Sequence, residues 1–362
     1  MGYEIDFLPV GDGERSGDAI AIRIGELTKP STNRAIIVID GGFTESGERL
    51  VEHIKTFYET DFVDLVVSTH PDDDHISGLR VVLENLRVGE LWMHRPWHHS
   101  REISKLAISS RVTDSGVKAR LQKSLTVATE LEELAESKGI PIVEPFAGVS
   151  KWGSIVRVVG PTQEYYESLL PEFRGTPATR TAESSLLERL LEGAKGVVKR
   201  IAEAWDIETL GDDGETTAEN NTSAVVLITF NDKHLLFTGD AGIPALTAAA
   251  DEIDALGFFR PDHLRFIQVP HHGSRRNVGP TILNRIVGPK LAKETARMTA
   301  FVSVSKGAGE KHPSKKVTNA FRRRGAPVHS TQGTAKWHHF EAPTRGTYST
   351  SDPLPLYTEV ED

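Results

Sequence analysis

One stretch of ten residues determines how the rest of this sequence is interpreted: Thr69-His70-Pro71-Asp72-Asp73-Asp74-His75-Ile76-Ser77-Gly78. It follows the apolar run Leu65-Val66-Val67, which predicts a buried strand, and it precedes residues 79–84, which predict the start of a helix. Adjacent carboxylates repel one another and buried charge must be paired, so this cluster is costly unless a cation neutralises it. The stretch therefore predicts a metal site on a strand-to-helix loop. The alternative is a solvated acidic turn that caps the next helix, but the two bracketing histidines favour the metal site.

Composition limits the classes of protein and of metal site. The chain has 362 residues, of which 38% are hydrophobic and 26% are charged, as is typical of a globular protein. It has no cysteine, so any metal must be bound by nitrogen and oxygen, which favours zinc, manganese or iron in a mixed His/Asp shell. The N-terminal residues lack the features of a signal peptide and no apolar stretch is long enough to span a bilayer. We therefore expect a cytoplasmic location and no membrane partner.

Charge is distributed unevenly along the chain. The net charge of −9 argues against a protein that coats nucleic acid non-specifically. Basic residues nevertheless concentrate in the C-terminal part, at Lys306, Lys311, Lys315, Lys316, Arg322, Arg323, Arg324 and Lys336. This asymmetry predicts either a surface that faces phosphate or a solvated basic face.

Apolar patterns predict an α/β fold in which strands and helices alternate on both sides of a more helical region. Strands are predicted at residues 3–10, 18–24, 35–39, 65–68, 89–93, 223–230, 234–237, 265–269, 299–303 and 336–340. Helical spacing is predicted at residues 46–58, 102–137, 184–205 and 243–253, with short strands over residues 140–159. We accordingly divide the chain into an N-terminal half at residues 1–96, a mainly helical insertion at 97–214 that includes short strands of the main fold, a C-terminal half at 215–350 and a tail at 351–362.

Three predicted strands end in potential metal ligands. The first leads into residues 69–75, the second ends at Asp240, and the third ends at His271 and His272. Equivalent positions in an α/β pattern favour a single pocket. Asp40 and its two following glycines end another strand, where they form either a turn close to the metal or a simple turn.

The segment His70-Pro71-Asp72-Asp73-Asp74-His75 resembles the H-x-H-x-D-H signature of the metallo-β-lactamase superfamily, with aspartate in place of the second histidine. That departure and several further motifs are similar to the soluble domain of ComEC competence proteins. The further motifs are Val10-Gly11-Asp12-Gly13, Asn220-Asn221-Thr222-Ser223, Phe237-Thr238-Gly239-Asp240, Val269-Pro270-His271-His272-Gly273-Ser274 and His312-Pro313. The resemblance covers residues 1–95 and 215–345 and implies an αββα sandwich with a two-metal site along one edge.

The resemblance also implies a set of metal ligands: His70, Asp72, Asp74, His75, Asn221, Asp240 and His271. His70 and Asp72 would hold the first ion, and Asp74 and His75 would hold the second together with His271. Two divalent ions are expected, Mn²⁺ or Zn²⁺, with Mg²⁺ as a further option because the shell is rich in oxygen.

Two of these ligands have special roles in the resemblance. Asp240 would bridge both ions. Asn221 lies in the stretch that corresponds to the third histidine of the family, and it would bind through its amide oxygen.

Two ions that share a carboxylate activate water and stabilise charge on a phosphoryl oxygen, so a metal-dependent hydrolase is predicted. Asp74 would orient the water in addition to binding metal, while His272 or His312 would assist the departing oxygen. The similarity to ComEC implies a phosphodiesterase, specifically a nuclease that acts on DNA.

Basic residues after the ligand strands would meet the phosphate backbone, at Arg275, Arg276, Lys315, Lys316 and residues 322–324. Two alternatives stay open: a hydrolase of a small phosphodiester, cyclic nucleotide, ester or lactone, and a non-catalytic metal-binding regulatory module. The insertion would either roof the pocket, which favours a small substrate, or bind a partner protein.

Overall fold

Two seven-stranded sheets lie face to face in the computed structural model, with helices on both outer faces. The structure describes residues 1–28, 33–107, 112–177, 200–309 and 312–361. This layering is the predicted αββα sandwich, so the predicted fold class is confirmed.

The strands, numbered along the described chain, are β1 (Gly2–Phe7), β2 (Ala19–Gly25), β3 (Arg34–Gly41), β4 (Phe62–Val63), β5 (Leu65–Val67), β6 (Arg87–Val88), β7 (Leu91–Trp92), β8 (Ile142–Val143), β9 (Ser150–Lys151), β10 (Val156–Gly160), β11 (Arg200–Ala202), β12 (Val225–Phe230), β13 (Lys233–Phe237), β14 (Leu264–Gln268), β15 (Thr299–Val302), β16 (Val328–Ser330), β17 (Lys336–Phe340) and β18 (Glu359–Glu361). The first sheet has the order β17-β1-β2-β3-β5-β7-β8, and the second has the order β16-β15-β14-β13-β12-β10-β9. Two small pairs, β4 with β6 and β11 with β18, lie outside these sheets.

The α-helices of the described ranges are α1 (Thr44–Phe57), α2 (Asp73–Asn85), α3 (Ser100–Leu106), α4 (Asp114–Ser124), α5 (Thr126–Ser137), α6 (Gln163–Leu169), α7 (Ala218–Asn221), α8 (Ile243–Leu256), α9 (Pro280–Ile286) and α10 (Lys315–Arg323). Short 3₁₀ helices occur at Pro96–His99, Leu170–Glu172, Pro261–His263 and His271–Gly273. Among these helices, none has both the length and the apolar composition needed to cross a bilayer.

The alternation of residue size in β2 shows why the sheets pack as they do. Ile20 and Ile22 are fully buried in the core between the two sheets. Ala19 and Ala21 point to the opposite face, where they leave room for the helices that cover the first sheet. Each large side chain buried in this way contributes about 1.5–3 kcal/mol, so the sandwich core is a main source of stability.

Because strands in each sheet run parallel, the loops that follow them lie at the same end of the sheet. In the first sheet β3, β5 and β7 are parallel neighbours, and in the second sheet β13, β14 and β15 are. Their carboxyl ends therefore lie on the same side of each sheet, which is where α/β proteins place their functional residues.

The predicted insertion is built into both sheets. Strand β8 extends the first sheet, whereas β9 and β10 extend the second, and α5 packs on α2. The helical region predicted at residues 102–137 forms three helices, α3 to α5. The helix predicted at residues 184–205 falls mainly outside the described residues. Its last part is wrong as a helix, because β11 pairs there with β18 from the predicted tail.

Candidate metal centre

The turn after β5 and the first turn of α2 carry four of the predicted ligands. His70 and His75 are buried, while Asp72 and Asp74 are partly exposed. Glycines allow this helix to lie directly on the turn after β3: a Cβ at Gly78 would collide with the carbonyl oxygen of Gly41. This close approach brings the turn at residues 40–42 under the histidines.

Three imidazoles surround one oxygen of Asp240. Its Oδ2 lies 3.4 Å from Nε2 of His75, 3.6 Å from Nε2 of His271 and 3.8 Å from Nε2 of His70. A fourth group, Asp72, places its Oδ2 3.6 Å from Nε2 of His70. Ligands that bind one ion at about 2.1 Å in a tetrahedral shell lie about 3.4 Å apart, so these spacings match atoms that share a cation.

Several buried atoms of this cluster have no hydrogen-bond partner within the described part of the chain. They are Nε2 of His70, Nε2 of His75, Nε2 of His272 and Oδ1 of Asp240. An unpaired buried polar group costs about 1–3 kcal/mol, and here four converge. Bound divalent cations would satisfy these atoms, so the residues fit divalent metal.

Asp40 supports the cluster from below. The Nδ1–H of His75 donates to its Oδ2 at 2.8 Å, and the backbone N–H and hydroxyl of Thr69 donate to the same carboxylate at 2.8 and 2.6 Å. Asp40 is fully buried. A carboxylate on one ring nitrogen fixes the tautomer that leaves the other nitrogen free to bind metal. This arrangement favours the metal-associated interpretation of the turn over a simple turn.

The two adjacent histidines after β14 occupy different places. His272 Nδ1 lies 2.9 Å from the carbonyl oxygen of Ser303, and its ligand-competent atom falls within 4.8 Å of those of Asp74 and His75. His271 instead lies beside Asp240, and its Nδ1 is 2.9 Å from Oδ1 of Asn277. The sequence predicts the reverse roles, with His271 in the second site and His272 assisting the leaving group.

The side-chain oxygen of Asn221 forms a hydrogen bond with the backbone. Its Oδ1 accepts a hydrogen bond from the N–H of Gly242 at 3.2 Å. The preceding residue, Asn220, contacts the centre, with Nδ2 at 3.2 Å from Nδ1 of His271. The predicted stretch therefore flanks the site, but the contact comes from its first asparagine.

Burial and charge oppose each other in the electrostatics of the cluster. Burial disfavours protonation of His75, yet the charges of Asp240 and Asp40 outweigh it and raise its pKa well above the usual value. Burial also opposes ionisation of Asp240, but His271 and His75 hold its pKa well below the usual value. Burial lowers the pKa of His272 to about 4. A neutral His272 keeps its Nε2 lone pair, as a ligand requires.

Two buried residues outside the sequence motifs, Gln268 and Asp18, connect the two sheets next to the metal centre. Gln268 accepts hydrogen bonds from the N–H groups of Thr238 and Gly239 at 2.9 and 3.1 Å, and its Nε2 donates to Oδ2 of Asp18 at 3.0 Å. Asp18 Oδ2 is 3.9 Å from Nδ1 of His75, and burial raises the pKa of Asp18 to about 8. The available signal was a lone carboxylate at the start of the apolar strand β2.

A cleft of about 900 Å³ adjoins the centre at Asn220 and His271. The basic residues Arg275, Arg276 and Lys316 line it together with residues of the 209–217 segment. Lys315 is not among the lining residues; its Nζ lies 5.4 Å from the ring centroid of Tyr357. Three of the four predicted substrate-binding residues are thus at the cleft.

The prediction that residues 322–324 face phosphate is wrong. Arg323 and Arg324 are fully buried and form ion pairs with Glu203 at 2.8 Å and with Glu208 at 2.6 Å. Arg322 pairs with Glu294. Arg323 and Arg324 thereby connect the segment before the cleft to the C-terminal end of α10, and their charges are compensated inside the protein.

The loop that carries His312 packs on the second histidine turn. The N–H of Ser314 donates to the carbonyl oxygen of Gly273 at 3.0 Å, and a Cβ at Gly273 would lie 2.5 Å from Cβ of Pro313. His312, predicted to assist the leaving group, is half-buried next to this contact.

Residues 16–148 match the family model of the metallo-β-lactamase superfamily. No curated protein matches the sequence. Similar solved structures include a putative metallo-β-lactamase from Thermotoga maritima (12% identity, 71% of this chain and 93% of that chain, TM-score 0.35). Another is a metallo-β-lactamase superfamily protein from the archaeon Sulfolobus tokodaii (16% identity, 78% of this chain and 84% of that chain, TM-score 0.32). A third is the long form of RNase Z from yeast (10% identity, 84% of this chain and 37% of that chain, TM-score 0.32).

Proposed function

We propose that this chain is a two-metal hydrolase of the metallo-β-lactamase superfamily that cleaves phosphodiester bonds in nucleic acid. The match of residues 16–148 to the family model supports this proposal. The observation that carries the proposal is the set of imidazole nitrogens around Oδ2 of Asp240, next to a cleft with three basic side chains. The similarity of the motifs to ComEC domains supports DNA as the polymer.

The proposed ligand assignment starts from the contacts of His70 with Asp72 and Asp240 and from the contact of His271 with Asp240. His70, Asp72 and His271 would hold one ion, and Asp240 would be shared by both ions. The second ion would be held by Asp74, His75 and His272, whose ligand atoms lie within 4.8 Å of one another. Ions bound there, Mn²⁺ or Zn²⁺ with Mg²⁺ as a further option, would supply Lewis-acid activation of water and neutralise charge on the phosphoryl group.

The side chains at the open side of the centre would handle water and protons. Asp74 is partly exposed and would orient the attacking water through its carboxylate. If His272 serves as a ligand, His312 becomes the side chain proposed to donate a proton to the leaving oxygen, because its loop packs on the His272 turn.

The basic side of the cleft would bind the phosphate backbone. Arg275 and Arg276 are exposed, and Lys316 lines the same cleft. Contacts of this kind release counterions, so DNA binding should weaken steeply as salt rises.

A second candidate is a small phosphodiester or a short oligonucleotide. The cleft is also lined by Asp213 and Glu215, whose carboxylates would repel a long polyanion. The volume of about 900 Å³ also lies within the range of small-molecule sites. These carboxylates would accept hydrogen bonds from sugar hydroxyls or base amino groups.

The test is cleavage by protein that has been stripped of metal and reloaded separately with Mn²⁺, Zn²⁺ or Mg²⁺. Substrates are linear single-stranded DNA, duplex DNA and bis(p-nitrophenyl) phosphate. Cleavage of DNA is expected, and Arg275→Ala/Arg276→Ala should weaken it, while the exposed Arg87→Ala serves as the control. Intact DNA together with cleavage of the small phosphodiester would favour the second candidate. Hydrolysis of neither would contradict the proposed function.

A further inference from the structure

Arg174 lies at the metal centre although it comes from the middle region of the chain. Its Nη2 is 2.9 Å from Oδ1 of Asp72 and donates to the carbonyl oxygen of Pro71 at 3.1 Å. The side chain is 44% exposed, so it is reachable from solvent. None of the sequence motifs indicates this position.

The backbone at Arg174 is fixed on both sides. Its N–H donates to Oε1 of Glu219 at 2.8 Å, and its carbonyl oxygen accepts from the hydroxyl of Ser124 at 2.9 Å. The preceding Phe173 is buried, and a Cβ at Gly175 would collide with Ser124. A guanidinium held on such a rigid segment is preorganised for a ligand.

The contacts of Arg174 leave donors for a ligand. Between described residues, both contacts of the side chain use Nη2, whereas a guanidinium has five N–H donors. The carboxylate of Asp72 contacts two side chains: its Oδ1 faces Arg174, and its Oδ2 faces Nε2 of His70. Arg174 is therefore one carboxylate away from the proposed first ion.

We propose that Arg174 binds an anionic oxygen of the substrate at the metal centre and so selects phosphodiesters over neutral esters. This inference rests on the proposed function and deepens it. The planar guanidinium matches phosphate oxygens in two-point contact, which a lysine cannot reproduce. Asp72 and Pro71 would hold the side chain in place before the substrate arrives.

The first test measures binding without turnover. Calorimetry gives the affinity of the metal-loaded protein for inorganic phosphate in wild type, Arg174→Ala, Arg174→Lys and Arg87→Ala. Arg87 in β6 is the matched control, because it forms an exposed arginine–aspartate pair with Asp61, the residue before β4. Loss of a charged hydrogen bond should weaken phosphate binding about 10- to 100-fold in Arg174→Ala. We expect a smaller loss in Arg174→Lys and none in the control.

The second test compares substrates and metal content. The kcat/KM of Arg174→Ala should fall for bis(p-nitrophenyl) phosphate and stay unchanged for the neutral ester p-nitrophenyl acetate, with the same number of ions bound per chain. The proposal would be overturned if Arg174→Ala kept the phosphate affinity, lost bound metal, or lost kcat/KM equally for both substrates. Arg174 would then only position Asp72. If the wild type cleaves no phosphodiester, the proposed function fails, and the phosphate affinities still decide the role of Arg174.

Discussion

Asp40 Oδ2 accepts a hydrogen bond from Nδ1 of His75 at 2.8 Å and thereby joins the turn after β3 to the histidine cluster after β5. The contact uses one ring nitrogen and leaves Nε2 of His75 at 3.4 Å from Oδ2 of Asp240. The orientation of a proposed ligand is therefore set by a residue that is itself fully buried.

Replacing this buried carboxylate should weaken metal binding. Asp40→Asn keeps the shape and tolerates the backbone φ of 54° at this position, but it no longer presents a charged acceptor to His75. We expect about a 10- to 100-fold loss of metal affinity, the usual effect of removing such a partner, measured by competition with a chelating dye. Unchanged affinity in a folded variant would show that Asp40 only shapes the turn.

Gln268→Leu should reduce both stability and metal affinity. The substitution removes the acceptor of the Thr238 and Gly239 N–H groups and the donor to Asp18. Each buried group left unpaired costs about 1–3 kcal/mol, and the turn that carries Asp240 loses its support. Urea unfolding of the metal-free protein and metal titration measure the two effects. The control is Gln163→Leu, which removes an exposed hydrogen bond to Glu167; equal results for both variants would argue against this role.

Metal removal should lower the melting temperature. An ion that binds only the folded state stabilises it by about 2.7 kcal/mol when its concentration is 100 times its Kd. Scanning calorimetry should therefore show a rise in Tm when ions are returned to stripped protein, and no rise in Asp240→Ala. A Tm that is indifferent to metal in the wild type would contradict the proposed centre.

Acid should destabilise the fold through Asp6. Burial opposes ionisation of this carboxylate, but His53 and Arg345 outweigh burial and lower its pKa. Because the folded pKa lies below the unfolded value of about 3.9, the stabilisation is present above that value and is lost as pH falls through the folded pKa. Urea unfolding at a series of pH values should show a weaker dependence below about pH 4 in Asp6→Asn than in wild type. The exposed control Asp251→Asn should keep the wild-type dependence, and an unaltered profile in Asp6→Asn would refute the assignment.

Two arginines, one buried in an ion pair and one exposed at the cleft, should respond differently to substitution. Arg323→Met removes one partner of a buried ion pair with Glu203 and should destabilise the protein by about 3–5 kcal/mol without changing the salt dependence of DNA binding. Arg276→Ala should leave stability unchanged and reduce the salt slope of DNA binding by about 1. Denaturant unfolding and binding at several salt concentrations measure the two effects; the opposite pattern would contradict both assignments.

Local patterns predicted the fold well where a single element decides the structure. The alternating small and large residues of β2 and the strand at residues 336–340 correspond closely to the observed strands. Likewise, His70 and His75 lie within one turn of chain, so their proximity follows from sequence spacing alone.

Side-chain contacts between segments far apart in the sequence could not be predicted from local sequence patterns. Residues 322–324 have the pattern of a surface charge run, and their partners Glu203 and Glu208 lie more than 100 residues away in the sequence. Which of His271 and His272 approaches Asp74 depends on the turn, where His272 has a φ of 54°. Arg174 reaches Asp72 across 102 residues, through a segment whose position is set by Glu219 and Ser124.

The most direct test of the central claim is the number of divalent ions bound per chain, measured by elemental analysis on the reloaded protein, with DNA cleavage followed on the same samples. We predict two ions per chain and metal-dependent cleavage in wild type, with both lost in Asp240→Ala. A folded wild-type protein that binds no divalent ion, or an Asp240→Ala variant that binds two ions and cleaves as well as wild type, would contradict the two-metal centre.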